Sequence, residues 1–168
     1  MRTRQFCMYC GGRLVQFDGQ HLRCSQCNTM QFHNPIPATV GIFYQNGKLL
    51  YVRRAREPRK GCLDFAGGFL DNGESGESCI LRECKEELKV DVEVRDYLGS
   101  YIDTYQHPSV SDGTKVLNLY YYCELLDQNI QPSDDVDGYE WIPIDHTPEN
   151  IAFKHMLEAL PKIRRILR

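Results

Sequence analysis

Three glutamates at positions 83, 86 and 87, set inside GFLDNGESGESCILRECKEELKV (residues 68–90), constrain this chain more than any other feature. Residues three and four apart are neighbours on a helix, where like charges repel by roughly 0.2–0.5 kcal/mol per pair. A divalent cation held among them reverses the sign. Hard oxygen donors of this kind suit Mg2+ or Mn2+, which keep several waters and bind substrate phosphates alongside protein. The spacing predicts a helix over about Ser75–Leu88. A wheel of ~100° per residue puts Ile80, Cys84 and Leu88 on a core-facing stripe, with Leu81 beside it. The glutamates take an adjoining arc, so the helix packs and ligates at once. A solvated acidic face balanced by Arg82, Lys85 and Lys89 is the competing reading of the charges alone. The segment in front overturns it: Gly67-Gly68, then Gly73 and Glu74, form a glycine-bearing loop that lets backbone groups approach a metal and phosphates.

Four of the eight cysteines form a second pattern. Cys7, Cys10, Cys24 and Cys27 read C-x2-C-x13-C-x2-C, two tight turns that aim four thiolates at one closed, tetrahedral structural zinc. Gly11 and Gly12 permit the first of these turns. A segment of this size cannot build an adequate core, so the metal is expected to fold it. A redox dithiol needs only one pair and is the weaker alternative. With no open coordination position, no chemistry is expected at the zinc. Cys62, Cys79, Cys84 and Cys123 show no pairing logic and read as small apolar core residues. Asn34-Pro35-Ile36-Pro37 is expected to break regular pairing and end this unit, giving a zinc ribbon over 1–34 and a larger domain over 35–168. His33 reads as a linker residue.

The 168 residues carry a net charge of -3 and a pI near 5.9, which argues against a general nucleic-acid coat. No apolar run approaches membrane length. The start, MRTRQFCMYC, lacks the apolar stretch of a signal peptide, so a cytoplasmic setting with reduced thiols is expected. In the larger domain, Ala38–Tyr44 and Lys48–Arg53 flank Gln45-Asn46-Gly47, a hairpin signal. Strands are predicted at 92–94, 97–105, 116–125 and 139–144. A final helix is predicted over Glu149–Leu167, with Ile151, Met156, Leu157, Leu160, Ile163, Ile166 and Leu167 at mostly helical spacing and Pro161 kinking it or starting a second helix.

The acidic segment resembles the Nudix box, G-x5-E-x7-R-E-U-x-E-E-x-G-U with U apolar. Gly68, Glu74, Arg82, Glu83, Cys84, Glu86, Glu87 and Val90 fall into register. Lys89 stands where the last glycine is expected, so it must accept a left-handed conformation or end the helix differently. Ala66 replaces the proline often seen before the paired glycines. The resemblance implies an α/β fold, an α/β/α sandwich with a mixed sheet, here preceded by a small zinc ribbon. It also implies Mg2+- or Mn2+-dependent hydrolysis of a nucleoside diphosphate linked to another group. By the same analogy Glu83, Glu86 and Glu87 ligate metal together with the Gly68 carbonyl, Arg82 orients a carboxylate and Glu74 holds the loop. Glu83 is a candidate general base, although in this family the base can come from a later loop.

Glu140, in Gly138-Tyr139-Glu140-Trp141, resembles a step that adds a metal ligand in some relatives. Asp134, Asp135 and Asp137 just before it read as a solvated loop. Arg53 and Arg54 open a basic run that either meets substrate phosphates or is a solvated edge. Tyr101, Tyr105, Tyr120, Tyr121 and Tyr122 offer stacking surfaces, about half of which strand alternation sends to the core. A zinc ribbon followed by a Nudix domain resembles the NADH pyrophosphatase group and a group acting on FAD and ADP-ribose. Ser100–Ser109 lacks the tryptophan and most prolines of the S-Q-P-W-P-F-P-x-S signature of the first group, which weakens NADH preference, and Ile151-Ala152-Phe153 is similar to a short Leu-Ala-Phe step in the second. A small nucleotide is the expected partner, and a homodimer stays open. The reading from another class is a catalytically silent ribbon-and-Nudix sensor or a regulator that binds RNA or protein.

Overall fold

The computed structural model describes residues 5–106 and 113–168. Three short strands come first, β1 (Leu14–Gln16), β2 (Leu22–Cys24) and β3 (Met30–Gln31), paired antiparallel in the order β1-β2-β3. Among the described residues their core is Cys7, Leu14, Leu22 and Cys24. The larger part contains β4 (Ile36–Gln45), β5 (Lys48–Arg54), β6 (Leu63–Asp64), α1 (Gly76–Leu88), β7 (Val92–Tyr105), β8 (Thr114–Leu125), β9 (Val136–Pro143) and α2 (Lys154–Leu167).

The sheet is mixed: β4 runs parallel to β8, and every other pairing of named strands is antiparallel. Asn46 and Gly47 both take positive φ between β4 and β5, as a two-residue Asn-Gly hairpin requires. Beyond Tyr44 the two strands separate, and the segment after β6 lies against the freed edge of β4 through Gly41 N to Ala66 O and Thr39 N to Gly68 O, both 2.8 Å. Helices cover both faces. Ile42, Leu49, Tyr51, Leu98 and Tyr120 pack with Met156, Leu160 and Ile163 of α2, while Phe43, Leu50, Val52, Tyr121 and Cys123 pack with Ile80, Cys84 and Leu88 of α1. This is the expected α/β/α sandwich. Neighbouring Tyr120 and Tyr121 are both buried because each face has its own helix, so alternation sends neither of them to solvent.

Several boundaries differ from expectation. Ile36 and Pro37 already lie in β4 opposite Val116 and Leu117, so the prolines do not break pairing there. β7 is one strand, not two, with irregularities at Val94–Asp96 and Tyr97–Gly99 that absorb the turn-like residues between the predicted halves. α2 starts at Lys154, leaving Ile151 in a bridge to Leu63. It runs through Pro161 as one helix, and both Leu157, whose carbonyl loses its donor, and Pro161 lie on the exposed side. Leu157 and Ile166 are exposed, off the helical spacing that assigned them to the core, and Leu81, read as lying beside the α1 stripe, is exposed too.

Helix α1 is capped by Ser75, whose Oγ accepts from Ser78 N at 3.1 Å. Lys89 takes the left-handed conformation (φ 58°, ψ 27°), doing in strained form what the missing glycine does freely. The N-cap of α2, Phe153, offers no side-chain acceptor. Asp103 of β7 supplies one from outside: its Oδ2 accepts from His155 N at 3.0 Å. Asp103→Ala is therefore expected to cost about 1 kcal/mol, as loss of a cap does, read as a lowered urea midpoint with unchanged slope.

Candidate active site

The loop between β6 and α1 is held to the sheet by backbone and to the helix by side chains. Gly67 has φ of 143°, and a Cβ there would collide with the Thr39 carbonyl, so only glycine passes this close to β4. Its N–H donates to Glu87 Oε2 at 3.0 Å. A Cβ on Gly68 would run into the Glu83 carboxylate, which lies directly against the backbone at that point. Two carboxylates one helical turn apart thus meet the paired glycines. The Gly68 carbonyl, expected as a metal ligand, accepts from Thr39 N, so its first lone pair belongs to the sheet.

Arg82 organises the rest. Nε and Nη2 fork onto the two oxygens of Glu74 at 3.0 and 2.9 Å, Nη2 also reaches Phe69 O at 3.0 Å, and Nη1 reaches Glu83 Oε1 at 2.8 Å and Glu86 Oε2 at 3.1 Å. That uses all five guanidinium donors, a geometry lysine cannot copy. Glu74 in turn accepts from Asp71 N at 2.9 Å and pins the loop. The Arg82 fork holds Glu74 down to about 2. The glutamates differ in exposure: Glu86 is exposed, Glu83 is largely covered and Glu87 is buried. Burial pushes the Glu83 and Glu87 carboxyls up, Glu87 well up despite its bond from Gly67, with the charges of Glu83, Asp64 and Asp135 adding to it.

A carboxyl whose folded value is raised binds more protons folded than unfolded, so its contribution to stability is full below the ordinary 4.5 and is lost as pH rises through the raised value. Metal-free protein is expected to lose stability over that upward window. Glu87→Gln should flatten the loss, measured as the difference in denaturant midpoints of the two proteins across pH.

Residues predicted for the site are not all brought together. Glu140 Oε1 takes Arg53 Nη2 at 2.8 Å, and it lies opposite Tyr51, whose side chain packs on the α2 face. Cross-strand partners share a face, so Glu140 lies across the sheet from the α1 glutamates and does not join them. Arg53 is occupied there too. Arg54 does reach the cleft beside the glycine corner, bonding Asp64 Oδ2 at 2.8 Å and lying 5.0 Å over the Phe153 ring. Asp134 and Asp135 are paired with Arg56 and are not merely solvated; Asp135 also lines the cleft.

This cleft, with a cavity volume of about 120 Å3, is lined by Glu87, Gly67 and Gly68 together with Tyr105, Phe153 and His155. Asp64 and His155 had no sequence signal of their own as site residues, and Phe153 had only the short Ile151-Ala152-Phe153 likeness; the tertiary fold brings all three to the cleft. Among the described residues, only Cys7, Cys10, Cys24 and Cys27 bring three or more candidate ligand atoms within 4.8 Å of one another. Their sulfurs lie 3.8 Å (Cys7–Cys27) and 3.5 Å (Cys10–Cys24) apart. The edge of a tetrahedron with Zn–S of about 2.3 Å is about 3.8 Å, so the tetrad fits zinc. The α1 glutamates fit a hard divalent ion by donor chemistry, and Glu83 and Glu86 here turn to Arg82.

A two-helix sandwich of this topology, with a glycine loop feeding a glutamate helix, defines a Nudix-type α/β domain behind a cysteine ribbon. The NUDIX domain family model matches residues 35–162, and the chain belongs to that family. It is 29% identical over 151 residues to the NAD-capped RNA hydrolase NudC of Pseudomonas aeruginosa, covering 88% of this chain and 50% of that protein. It is also 29% identical over 122 residues to the ADP-ribose pyrophosphatase of Methanocaldococcus jannaschii, covering 73% and 69%. The crystal structure of a NUDIX hydrolase from Nitrosomonas europaea superposes with a TM-score of 0.73 at 24% identity over 98% of this chain and 90% of that one, a likeness of fold. The chain spans half the length of the Pseudomonas relative. No helix among the described residues is long and apolar enough to cross a membrane.

Proposed function

We propose that this protein, with Mg2+ or Mn2+, hydrolyses the pyrophosphate bond of a nucleoside diphosphate linked to another group, a dinucleotide or ADP-linked compound of the FAD, ADP-ribose or NADH type. The observation that carries the reading is the pair Glu83 and Glu87, held against Gly68 and Gly67, where Gly67, Gly68 and Glu87 also line a cleft with aromatic walls. The relatives' names, one for NAD-capped RNA and one for ADP-ribose, support an ADP-containing substrate. The ribbon over 1–34 and the catalytic unit over 35–168 are taken as separate units, with Cys7, Cys10, Cys24 and Cys27 holding a structural Zn2+.

Glu83, Glu86 and Glu87 would hold the divalent ions. Bound there, such ions neutralise charge on the pyrophosphate and acidify a water. Burial already lifts Glu83 and Glu87, so they gain most from a nearby positive charge. To hold such an ion Glu83 and Glu86 would have to release Arg82 Nη1, while the fork from Nε and Nη2 onto Glu74 could stay and keep the loop in place. Glu83 is the candidate to take the proton from the attacking water.

The test is product identity. Incubation with Mg2+ in 18O-water and NADH, NAD, FAD, ADP-ribose, nucleotide sugars and nucleoside triphosphates is expected to give two monophosphates from an ADP-linked compound, one of them labelled. Release of orthophosphate alone from the whole panel would contradict the reading. A nucleotide sensor is the second reading, favoured by the engagement of Glu83 and Glu86 with Arg82. Tight, metal-dependent nucleotide binding without turnover would decide for it.

A further inference from the structure

Strand alternation gives the ribbon two unlike faces. Leu14 lies opposite Cys24, and Leu22 shares their side, so this face carries the small core with the buried sulfurs. The other face is set by a second series of cross-strand partners, which share a side. Phe6 lies opposite Arg13, Val15 opposite Arg23, and Arg23 opposite Met30. Phe17 continues the β1 series two residues beyond Val15, its N–H on the His21 carbonyl at 3.0 Å, and the His21 ring meets Phe32 edge-on at 5.0 Å. Phe6, Phe17 and Phe32 are 64%, 54% and 64% exposed, so three rings stand open on one small sheet.

The charge on this face has one sign. Arg13 and Arg23 are exposed, and the Arg23 guanidinium lies 5.5 Å from the centre of the Phe17 ring, a cation–π contact that keeps a cation beside an open ring. Residues 1–34 hold four arginines and a single acid, Asp18, although the whole chain carries -3. Asp18 is taken up by its own turn: it accepts from Gln20 N at 3.1 Å and His21 N at 2.8 Å, and the His21 Nδ1 lies 2.8 Å away. The thiolates belong to the opposite face, where Cys24 lies with Leu14. Rings that accept stacking, interleaved with unopposed cations, complement a flexible anionic chain that carries flat groups.

We propose that this outer face of the ribbon binds single-stranded nucleic acid, with bases stacked on Phe6, Phe17 and Phe32 and phosphates drawn to Arg13 and Arg23. The stacking tolerates any base, and the arginines read only charge, so little sequence preference is expected. A duplex hides the faces of its bases and meets only the arginines. The inference does not depend on the chemistry assigned to the glutamates.

Fluorescence anisotropy tests it on the zinc-loaded full chain, without added Mg2+ or Mn2+, using labelled short RNA and DNA strands of mixed sequence that contain no pyrophosphate linkage. Single strands should bind more tightly than a duplex of the same length. Binding of either strand supports the proposal, and a difference between the two names the sugar. Phe17→Ala and Phe32→Ala should each weaken single-strand binding at least about fivefold, the scale of losing one stacked base, and leave duplex binding unchanged. Arg13→Gln and Arg23→Gln should each reduce the slope of log affinity against log salt by about 0.7. All four side chains are exposed, so zinc content and melting temperature should match the parent. Glu83→Gln should bind the strands as the parent does; a parent without turnover that still binds them sinks the hydrolytic reading and leaves this face standing. No binding of either strand at low salt, equal affinity for strand and duplex, or undiminished binding in both phenylalanine variants overturns the proposal. A parent that sediments as a dimer and becomes a monomer in Phe17→Ala also overturns it, by assigning the face to a second copy of the chain.

Discussion

Glu83→Gln is expected to lower kcat by roughly 10²- to 10³-fold, the scale of losing one charge-stabilising contact to a transition state, without disturbing the fold. Glutamine matches glutamate in shape, keeps an oxygen for Arg82 Nη1 and still fits against Gly68. What disappears is the charge, which burial makes costly in the metal-free protein. The variant should therefore melt at or above the temperature of the parent while losing turnover, a combination that separates a catalytic role from a structural one. Initial rates on the preferred compound at saturating Mg2+, beside a melting curve, read both. Unchanged turnover would assign the hydrolysis to another site.

Cys24→Ser is expected to be as damaging to the ribbon as Glu83→Gln is to the chemistry. Cys24 is fully buried, and its sulfur also accepts from the backbone N–H groups of Gln26 and Cys27 at 3.4 Å. Among the described residues the three strands share a core of four side chains, two of them from the cysteines themselves. Structural zinc contributes roughly 10–16 kcal/mol of apparent binding energy in small units of this type, and a core this small has nothing comparable to replace it. Zinc content should fall, and limited proteolysis should open cleavage sites between residues 5 and 34. A strong chelator should do the same to the parent protein. Resistance to protease with the zinc removed would contradict a metal-folded ribbon.

The acidic helix was legible in the sequence because its pattern is local. Ile80, Cys84 and Leu88 repeat at helical spacing, and the glycines mark the loop. The tetrad of sulfurs was legible for the same reason. The neighbourhood of Glu140 was not: its face is set by pairing with Tyr51, a contact 89 positions away in the chain. Arg82 read as a charge balancing its helix from spacing alone and as orienting a carboxylate from the resemblance, but that it bonds Glu74, Glu83 and Glu86 together depends on how the loop folds back. The aromatic walls of the cleft combine β7, the turn before α2 and the first turn of α2, three segments with no shared spacing. Parts of the Ser100–Ser109 stretch, read against the signature of the NADH group, lie outside the described residues.

Electron paramagnetic resonance titration with Mn2+, on zinc-loaded protein, tests whether Glu83, Glu86 and Glu87 together hold a divalent ion at the glycine corner. Bound Mn2+ is expected, with an affinity that falls at least about tenfold in Glu83→Gln and again in Glu87→Gln, in line with the cost of disturbing a metal's ligand set. Mn2+ binding of equal strength in the parent protein and both variants would contradict it.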